Sequence, residues 1–305
     1  MTEPVRLAQG DLEAVFLPAQ GMLGASLRHR GVEMLRRVDD LPLAAAKGTT
    51  AGIPLLHPWA NRLDCPRYRA AGRRVQIDPS SPLLHLDANG LPIHGVPWSA
   101  LAWEVDAATR DRVSARLAWN REDWLAIFPF PHRMEFAATL DRDGLTLETT
   151  LVAGSEGEVP VSFGFHPYFG LPDLPRARWR LATPAMRRLV LDARMIPTGA
   201  EEPWDRLDAE LGARALDDGF RLDAAGASFS LSGADRRIRV DFLSGYAYAQ
   251  IYAPPGQDLV AIEPMTAPTN ALCSGAGLTL VAPGERYRAA FRVCVSGGVE
   301  DTPSC

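Results

Sequence analysis

Apolar and polar positions alternate with a period of two along most of this chain. In residues 133–140, RMEFAATL, Met134, Phe136, Ala138 and Leu140 share one face, opposite Glu135, Ala137 and Thr139. The turn DRDG (141–144) follows, and then LTLETTLVA, in which Leu145, Leu147, Thr149 and Leu151 alternate with Thr146, Glu148 and Thr150. Two alternating runs joined by a short Asp/Gly turn predict a β-hairpin. SFSLSGADRRIRVDFL (228–243) repeats the pattern with its turn at residues 233–235, and LTLVAPGERYRAAFRVCV (278–295) does so again. Further strand-like runs are LAWEV (101–105), RVSARLAWN (112–120), ARWRLAT (177–183), YAYAQIYA (246–253) and LVAIEP (259–264). Helical spacing is nearly absent; its best candidate is DRLDAELGARAL (205–216).

Proline and glycine, 25 and 26 in number, break the chain about every ten residues. Many short strands without intervening helices predict antiparallel sheets packed face to face. No internal repeat, low-complexity linker or charge block divides the chain. The expectation is an all-β fold, one large antiparallel β-sandwich domain over residues 1–305. Hydrophobic residues make up 47% of the 305 residues and charged residues 23%, enough apolar material for such a core.

Charge narrows the partners. A net charge of −5 and a pI near 5.7 argue against nucleic acid and against acidic membranes. Arginine far outnumbers lysine but is interleaved with Asp and Glu, as on a solvated surface. The opening MTEPVRLAQGDLEAVF lacks a basic then apolar leader, and no apolar run approaches the roughly 20 residues that span a bilayer. Cys65, Cys273, Cys294 and Cys305 are dispersed, with no CxxC pair, so spacing indicates neither a zinc site nor a disulfide framework. A cytoplasmic, reduced protein is expected.

Five residues stand out as candidate chemistry. His166 lies in VSFGFHPYFGLP (161–172), with Pro167 favouring an extended backbone at 166 and Phe163, Phe165, Tyr168 and Phe169 supplying flat apolar walls. That suits a sugar-sized pocket, or equally a buried imidazole with a single partner. His94, in LPIHGVPW (91–98), sits in a stiff turn that resembles a pocket rim. Glu263, in LVAIEPMTAPTNAL, follows a run that reads as buried, and a carboxylate there needs a partner unless the strand end turns it to solvent. Arg62, in PLLHPWANRL (54–63), offers a fixed fork of donors or an ordinary surface ion pair. Asp217, in LDDGF, also fits a routine turn.

Taken in order, these motifs resemble the aldose 1-epimerase (galactose mutarotase) family almost end to end. LPAQGMLGASLRHRGVEML is similar to that family's opening hairpin, PWANRL to its Asn-Arg motif and LPIHG to its first His-Gly motif. FGFHPYFGLP resembles the stretch with its second histidine; IPTG (196–199), DDGF and AIEPMTAPTNAL complete the series. The resemblance implies a galactose mutarotase-like sandwich with its site on a concave sheet face. It makes His166 the general acid and Glu263 the general base, and Arg62, His94 and Asp217 substrate-binding residues. Asp217 is preferred to Asp218 because it lies three residues before Phe220. Asp64, Cys65 and Pro66 depart from the glycine-rich turn of many members, and His57 and Trp59 suggest a pocket wall altered for a different sugar.

The implied reaction interconverts the α and β anomers of a free aldose by ring opening and closure. It uses one acid and one base and implies no metal, nucleotide or redox cofactor. Neighbouring carboxylates are expected to keep His166 charged despite burial. Trp59 or Tyr168 could pack on the sugar's C–H face. Rival readings are a two-His-one-carboxylate metal centre from His94, His166 and Glu263, a glycoside hydrolase using Glu263 and Asp217, and a non-catalytic sugar-binding protein on the same scaffold. A phosphorylated or sulfonated sugar remains open as substrate.

Overall fold

The computed structural model of the chain describes residues 3–36, 38, 50–172, 174–224 and 226–297. Among these residues the strands form two large antiparallel sheets and three smaller ones. The nine-stranded sheet runs, in spatial order, Leu207–Glu210, Arg180–Thr183, Ser228–Gly233, Arg236–Ser244, Arg286–Gly297, Gly144–Ala153, His132–Leu140, Arg112–Trp119 and Glu104–Ala108. The eight-stranded sheet runs Pro197–Trp204, Met186–Leu191, Leu216–Arg221, Tyr248–Ala253, Val260–Met265, Gly164–Phe165 and Leu55–Leu56, with Tyr168–Phe169 also paired to Val260–Met265. A four-stranded sheet, Val5–Gln9, Leu12–Leu17, Leu23–His29 and Val32–Glu33, opens the chain. No helix among the described residues is long and apolar enough to cross a membrane.

Period-two alternation becomes layering. Met134, Phe136, Ala138 and Leu140 are buried, as are Leu145, Leu147, Thr149 and Leu151 on the partner strand, and Leu140 faces Leu145 across the turn. The turn is closed by the Asp141 carboxylate, which accepts from the backbone N–H groups of Asp143 and Gly144. The two large sheets meet through rings. Phe165 lies 5.2 Å from Phe291 and 6.4 Å from Phe136, and Phe163 lies 6.3 Å from Tyr287. Phe16 of the four-stranded sheet reaches Phe136 at 5.8 Å, so that sheet closes one side of the same core. The other face of the nine-stranded sheet is a ladder of exposed ion pairs, among them Arg116–Glu104 and Arg133–Glu135. Such pairs add little stability.

Two expectations fail. Residues 278–295 do not make a hairpin: Thr279–Val281 pairs with Val159–Val161, whereas Arg286–Gly297 is inserted between Gly144–Ala153 and Arg236–Ser244. The turn between them donates from Gly284 N–H to the Gly154 carbonyl, which sends its two arms into different sheets. Residues 205–216 are not helical. Leu207–Glu210 is an edge strand paired with Arg180–Thr183, because Leu207, Ala209 and Leu211 also alternate with a period of two and Gly212 then turns the chain. The α-helical turns described, Glu122–Leu125 and Ala271–Ser274, are four residues each.

Phe165 is 1% exposed and joins the two sheets one residue before His166. Phe165→Ala is expected to cost about 3–5 kcal/mol, through lost transfer energy and a cavity. Urea denaturation followed by tryptophan fluorescence measures it.

Candidate active site

Strand register builds the floor of the site. Leu216–Arg221, Tyr248–Ala253 and Val260–Met265 lie side by side, with Asp217 opposite Tyr252, Gly219 opposite Gln250, and Gln250 opposite Glu263. Because side chains alternate, Asp217, Gly219, Gln250, Tyr252, Ala261 and Glu263 share one face, and Tyr168 joins it opposite Ala261. Phe220, Ala249, Ile251 and Ile262 take the other face, in the core. A Cβ on Gly219 would come within 3.1 Å of Gln250 Oε1, so the missing side chain leaves room for that amide. The Gln250 amide donates to Asp217 Oδ1 at 2.6 Å and fixes that carboxylate.

Two loops supply the walls. Asn61 and His94 both take left-handed backbone, with φ near +60°, and hold each other: His94 N–H donates to the Asn61 carbonyl at 2.9 Å, and Asn61 N–H donates to His94 Nδ1 at 3.2 Å. Gly95 follows, also left-handed, and a Cβ there would strike the His57 carbonyl oxygen at 2.4 Å. Arg62 donates from Nε to Asp87 at 2.7 Å and from Nη1 to Asn61 Oδ1 at 3.2 Å, so protein groups aim its guanidinium. Burial opposes ionisation of Asp87, but the N–H groups of Leu91 and Asn89 together with Arg62 outweigh it and hold its carboxyl below the ordinary range.

Together these elements enclose a cavity of about 280 Å³ lined by Asn61, Arg62, Ile93, His94, His166, Tyr168, Asp217, Gln250, Tyr252 and Glu263. All five residues singled out from the sequence are among them.

At its base His166 Nε2 stands 3.2 Å from Glu263 Oε1 and 3.1 Å from the Tyr168 hydroxyl. Tyr168 stacks on the imidazole at 4.1 Å and nearly parallel, and its hydroxyl also contacts Thr50 Oγ1. His166 Nδ1 and Glu263 Oε2 are out of solvent and have no hydrogen-bond partner of ordinary geometry. Burial dominates both groups. It lowers the imidazole well below the ordinary histidine value, reinforced by His94, and raises the carboxyl well above the ordinary carboxylate value, reinforced by Asp217 and opposed by Arg62. Both shifts oppose charge on the two groups that meet across the 3.2 Å contact. The expectation that neighbouring carboxylates keep His166 charged is therefore corrected: desolvation, the largest effect on the imidazole, lowers it. His94 is lowered to about 3 by burial and then by Arg62, so it is neutral at physiological pH. With Nδ1 accepting from Asn61, its proton sits on Nε2.

The sequence model of the aldose 1-epimerase family matches residues 6–294. The chain belongs to that family. The uncharacterized protein YihR of Escherichia coli is 24% identical over 305 residues, spanning 95% of this chain and 92% of its own. A galactose mutarotase-like protein from Clostridium acetobutylicum has a TM-score of 0.85 at 20% identity, over 96% of this chain and 95% of that one. The galactose 1-epimerase of Lactobacillus acidophilus gives 0.76 at 15% identity, over 96% and 93%. At these identities the structures establish the fold, a galactose mutarotase-like β-sandwich; family membership adds a sugar as the substrate class.

Within this aldose 1-epimerase family member, several finer expectations change. Glu263 lies inside the strand Val260–Met265 rather than at its end. Trp59 is fully buried and does not line the cavity, so of the two rings considered only Tyr168 is positioned to meet a sugar. His57 packs away from the cavity, its Nε2 3.0 Å from His132 Nε2 and its ring against Trp119. It therefore does not reshape the pocket wall. Among the described residues, His94, His166 and Glu263 do not converge as a set of metal ligands. Asp218 stands apart from the cavity lining, 3.8 Å from Arg188, while Asp217 lines the cavity. Gln250 and Tyr252 were missed, although YAYAQIYA places Tyr248, Gln250 and Tyr252 on one face of an otherwise apolar strand. Asp87 carried no local signal.

A buried carboxyl whose folded value is raised makes the folded state lose stability relative to the unfolded chain as pH climbs from the ordinary carboxyl range to that raised value. Glu263→Gln removes this cost. The variant is expected to melt a few degrees above the parent at neutral pH, about 1–2 kcal/mol, with the advantage vanishing in acid. Thermal melts at neutral and acid pH check both parts.

Proposed function

We propose that this protein is an aldose 1-epimerase, a mutarotase that interconverts the α and β anomers of a free aldose on a single β-sandwich domain, with His166 as general acid and Glu263 as general base. The observation that supports this most directly is the 3.2 Å contact between a buried imidazole and a buried carboxyl at the base of a small polar cavity. At about 280 Å³ the cavity lies just under the roughly 300–1,000 Å³ typical of drug-sized ligands, as suits a monosaccharide.

Ring opening begins from the charged form of the pair. Imidazolium Nε2–H of His166 gives its proton to the ring oxygen while the Glu263 carboxylate takes the proton of the anomeric hydroxyl. The C1–O5 bond breaks, its electrons go to O5, and the O1 electrons form the aldehyde carbonyl. The enzyme is left with neutral imidazole and protonated carboxyl, the state that desolvation favours. Burial thus drives the opening step, and closure after rotation about C1–C2 restores the charges. Arg62, the Asp217 carboxylate and the Nε2–H of His94 hold hydroxyl groups away from C1. Tyr168 and Tyr252 present ring faces to C–H groups.

A second reading, an aldose with an anionic substituent, draws on Arg36. Its charge acts on both Tyr168 and Tyr252 at the cavity, and its Nη1 donates to Gln257 at 3.1 Å.

Freshly dissolved single-anomer sugars, followed by NMR with and without enzyme, test the activity. The panel includes hexoses, pentoses, and phosphorylated and sulfonated sugars. Acceleration with a neutral sugar is expected; acceleration confined to anionic sugars would select the second reading, and none with any sugar would leave only binding. His166→Ala and Glu263→Gln are each expected to lower kcat by about 10²–10⁴-fold. Asp217→Ala is expected to act mainly on KM, raising it about tenfold.

The pH profile carries its own sign. The active pair holds one shared proton, so activity falls in acid when neutral His166 gains a second proton, at a pH below the ordinary histidine value. It falls in alkali when the shared proton is lost, at a pH above the ordinary carboxyl value. A bell of kcat/KM against pH between these limits is expected; a flat profile would count against the pair.

A further inference from the structure

Next to the Arg62 wall, folding gathers three side chains whose sequence spacing gave no hint of a site. Asp64, Cys65 and Cys273 bring one carboxylate oxygen and two Sγ atoms within 4.8 Å of one another. Both sulfurs also approach one backbone oxygen, that of Arg67, at 3.2 Å from Cys65 and 3.4 Å from Cys273. Asp64 Oδ1 is out of solvent with no hydrogen-bond partner of ordinary geometry. The two segments are already zipped together: Asn270 N–H donates to the Arg62 carbonyl at 2.8 Å, and Asp64 N–H donates to Asn270 Oδ1 at 2.9 Å.

We propose that Asp64, Cys65 and Cys273 bind a thiophilic divalent cation of the zinc class, clamping the segment that carries Arg62 to the helical turn Ala271–Ser274. Two sulfurs and one carboxylate oxygen are a borderline-soft donor set suited to Zn²⁺. Around zinc, with bonds of about 2.3 Å to sulfur and about 2.0–2.2 Å to oxygen, the donors stand closer to each other than 4.8 Å, so the side chains close in slightly on binding. The thiols of Cys65 and Cys273 each lose a proton to solvent, and a water completes the fourth position. Burial and then the Asp64 carboxylate push the Cys273 thiol up from its ordinary value. A cation reverses that electrostatic preference, which couples binding to proton release. The three residues are all partly accessible, so an ion has a route in.

The test uses the reduced protein, residues 1–305, titrated with Co²⁺ as a spectroscopic stand-in. One equivalent is expected to produce thiolate-to-cobalt charge-transfer absorption that one equivalent of Zn²⁺ abolishes. Cys65→Ser and Cys273→Ser should each weaken binding at least about tenfold and lose most of the band, and Asp64→Asn should weaken binding about tenfold while keeping it. The double variant Cys294→Ser/Cys305→Ser should behave as the parent. Far-UV circular dichroism confirms that the variants fold, and Zn²⁺ should raise the Tm of the parent but not of Cys273→Ser. Absence of the band in the parent, or a band that survives both Cys65→Ser and Cys273→Ser, overturns the proposal. The readout does not depend on the sugar chemistry.

Discussion

An imidazole and a carboxyl group buried against each other set the terms for this molecule. Neither is cheap to bury charged, and each leaves one polar atom without a partner, His166 Nδ1 and Glu263 Oε2. A fold selected for stability alone would have no use for such a pair. It persists because the surroundings fix both groups: a stacked tyrosine on the ring, a central strand under the carboxyl, and apolar sheets behind both. In the proposed reaction the same desolvation becomes a driving force, since ring opening discharges the pair. A more polar pocket would stabilise the ion pair and lose that drive.

The scaffold suits this task through its geometry. Three neighbouring strands in fixed register place Asp217, Gln250 and Glu263 on one face with no loop motion between them. The opposite face is locked into the ring-rich core, so the floor cannot shift without disturbing Ile251, Ile262 and Phe220. The walls come from loops in which Asn61 and His94 adopt left-handed backbone and pair with each other. That conformation is tolerable for asparagine and histidine when neighbouring contacts over-determine it. The result is a rigid floor with stiff walls, which suits a reaction in which only the substrate must move.

How much of this was legible in the sequence depended on whether the signal was local. Alternation in residues 133–153 gave the hairpin and its buried face because pleat and turn are short-range properties. The hairpin expected at 278–295 failed because alternation says which side of a strand is buried, not which strand lies beside it. The short helix expected at 205–216 failed because Leu207, Ala209 and Leu211 satisfy a strand as well as a helix, and the edge next to Arg180–Thr183 decided between them. Arg62, His94, His166, Asp217 and Glu263 were picked out by local oddities and by their order along the chain. Asp87, which aims Arg62 from another segment, and the approach of Cys65 to Cys273 were invisible, since nothing near them in sequence announces a partner brought by the fold.

The charge state of the histidine shows where residue-level reasoning stops. From the sequence, two nearby carboxylates argue for imidazolium by proximity. The structure adds that one of them is buried with the ring, so the charges that would stabilise each other must both be desolvated. In the proposed reaction a bound sugar would change that balance, because its hydroxyl groups would replace missing solvent where the ion pair is needed. Arg62 helps in the same direction by lowering the carboxyl. In the proposed reaction, acid and base are then called on when an aldose is bound, which would tie the proton inventory of the site to occupancy as well as to bulk pH. Holding the substrate by hydroxyls remote from C1 would leave the aldehyde free to turn, so the proposed reaction assigns binding and proton transfer to different residues of the cavity lining.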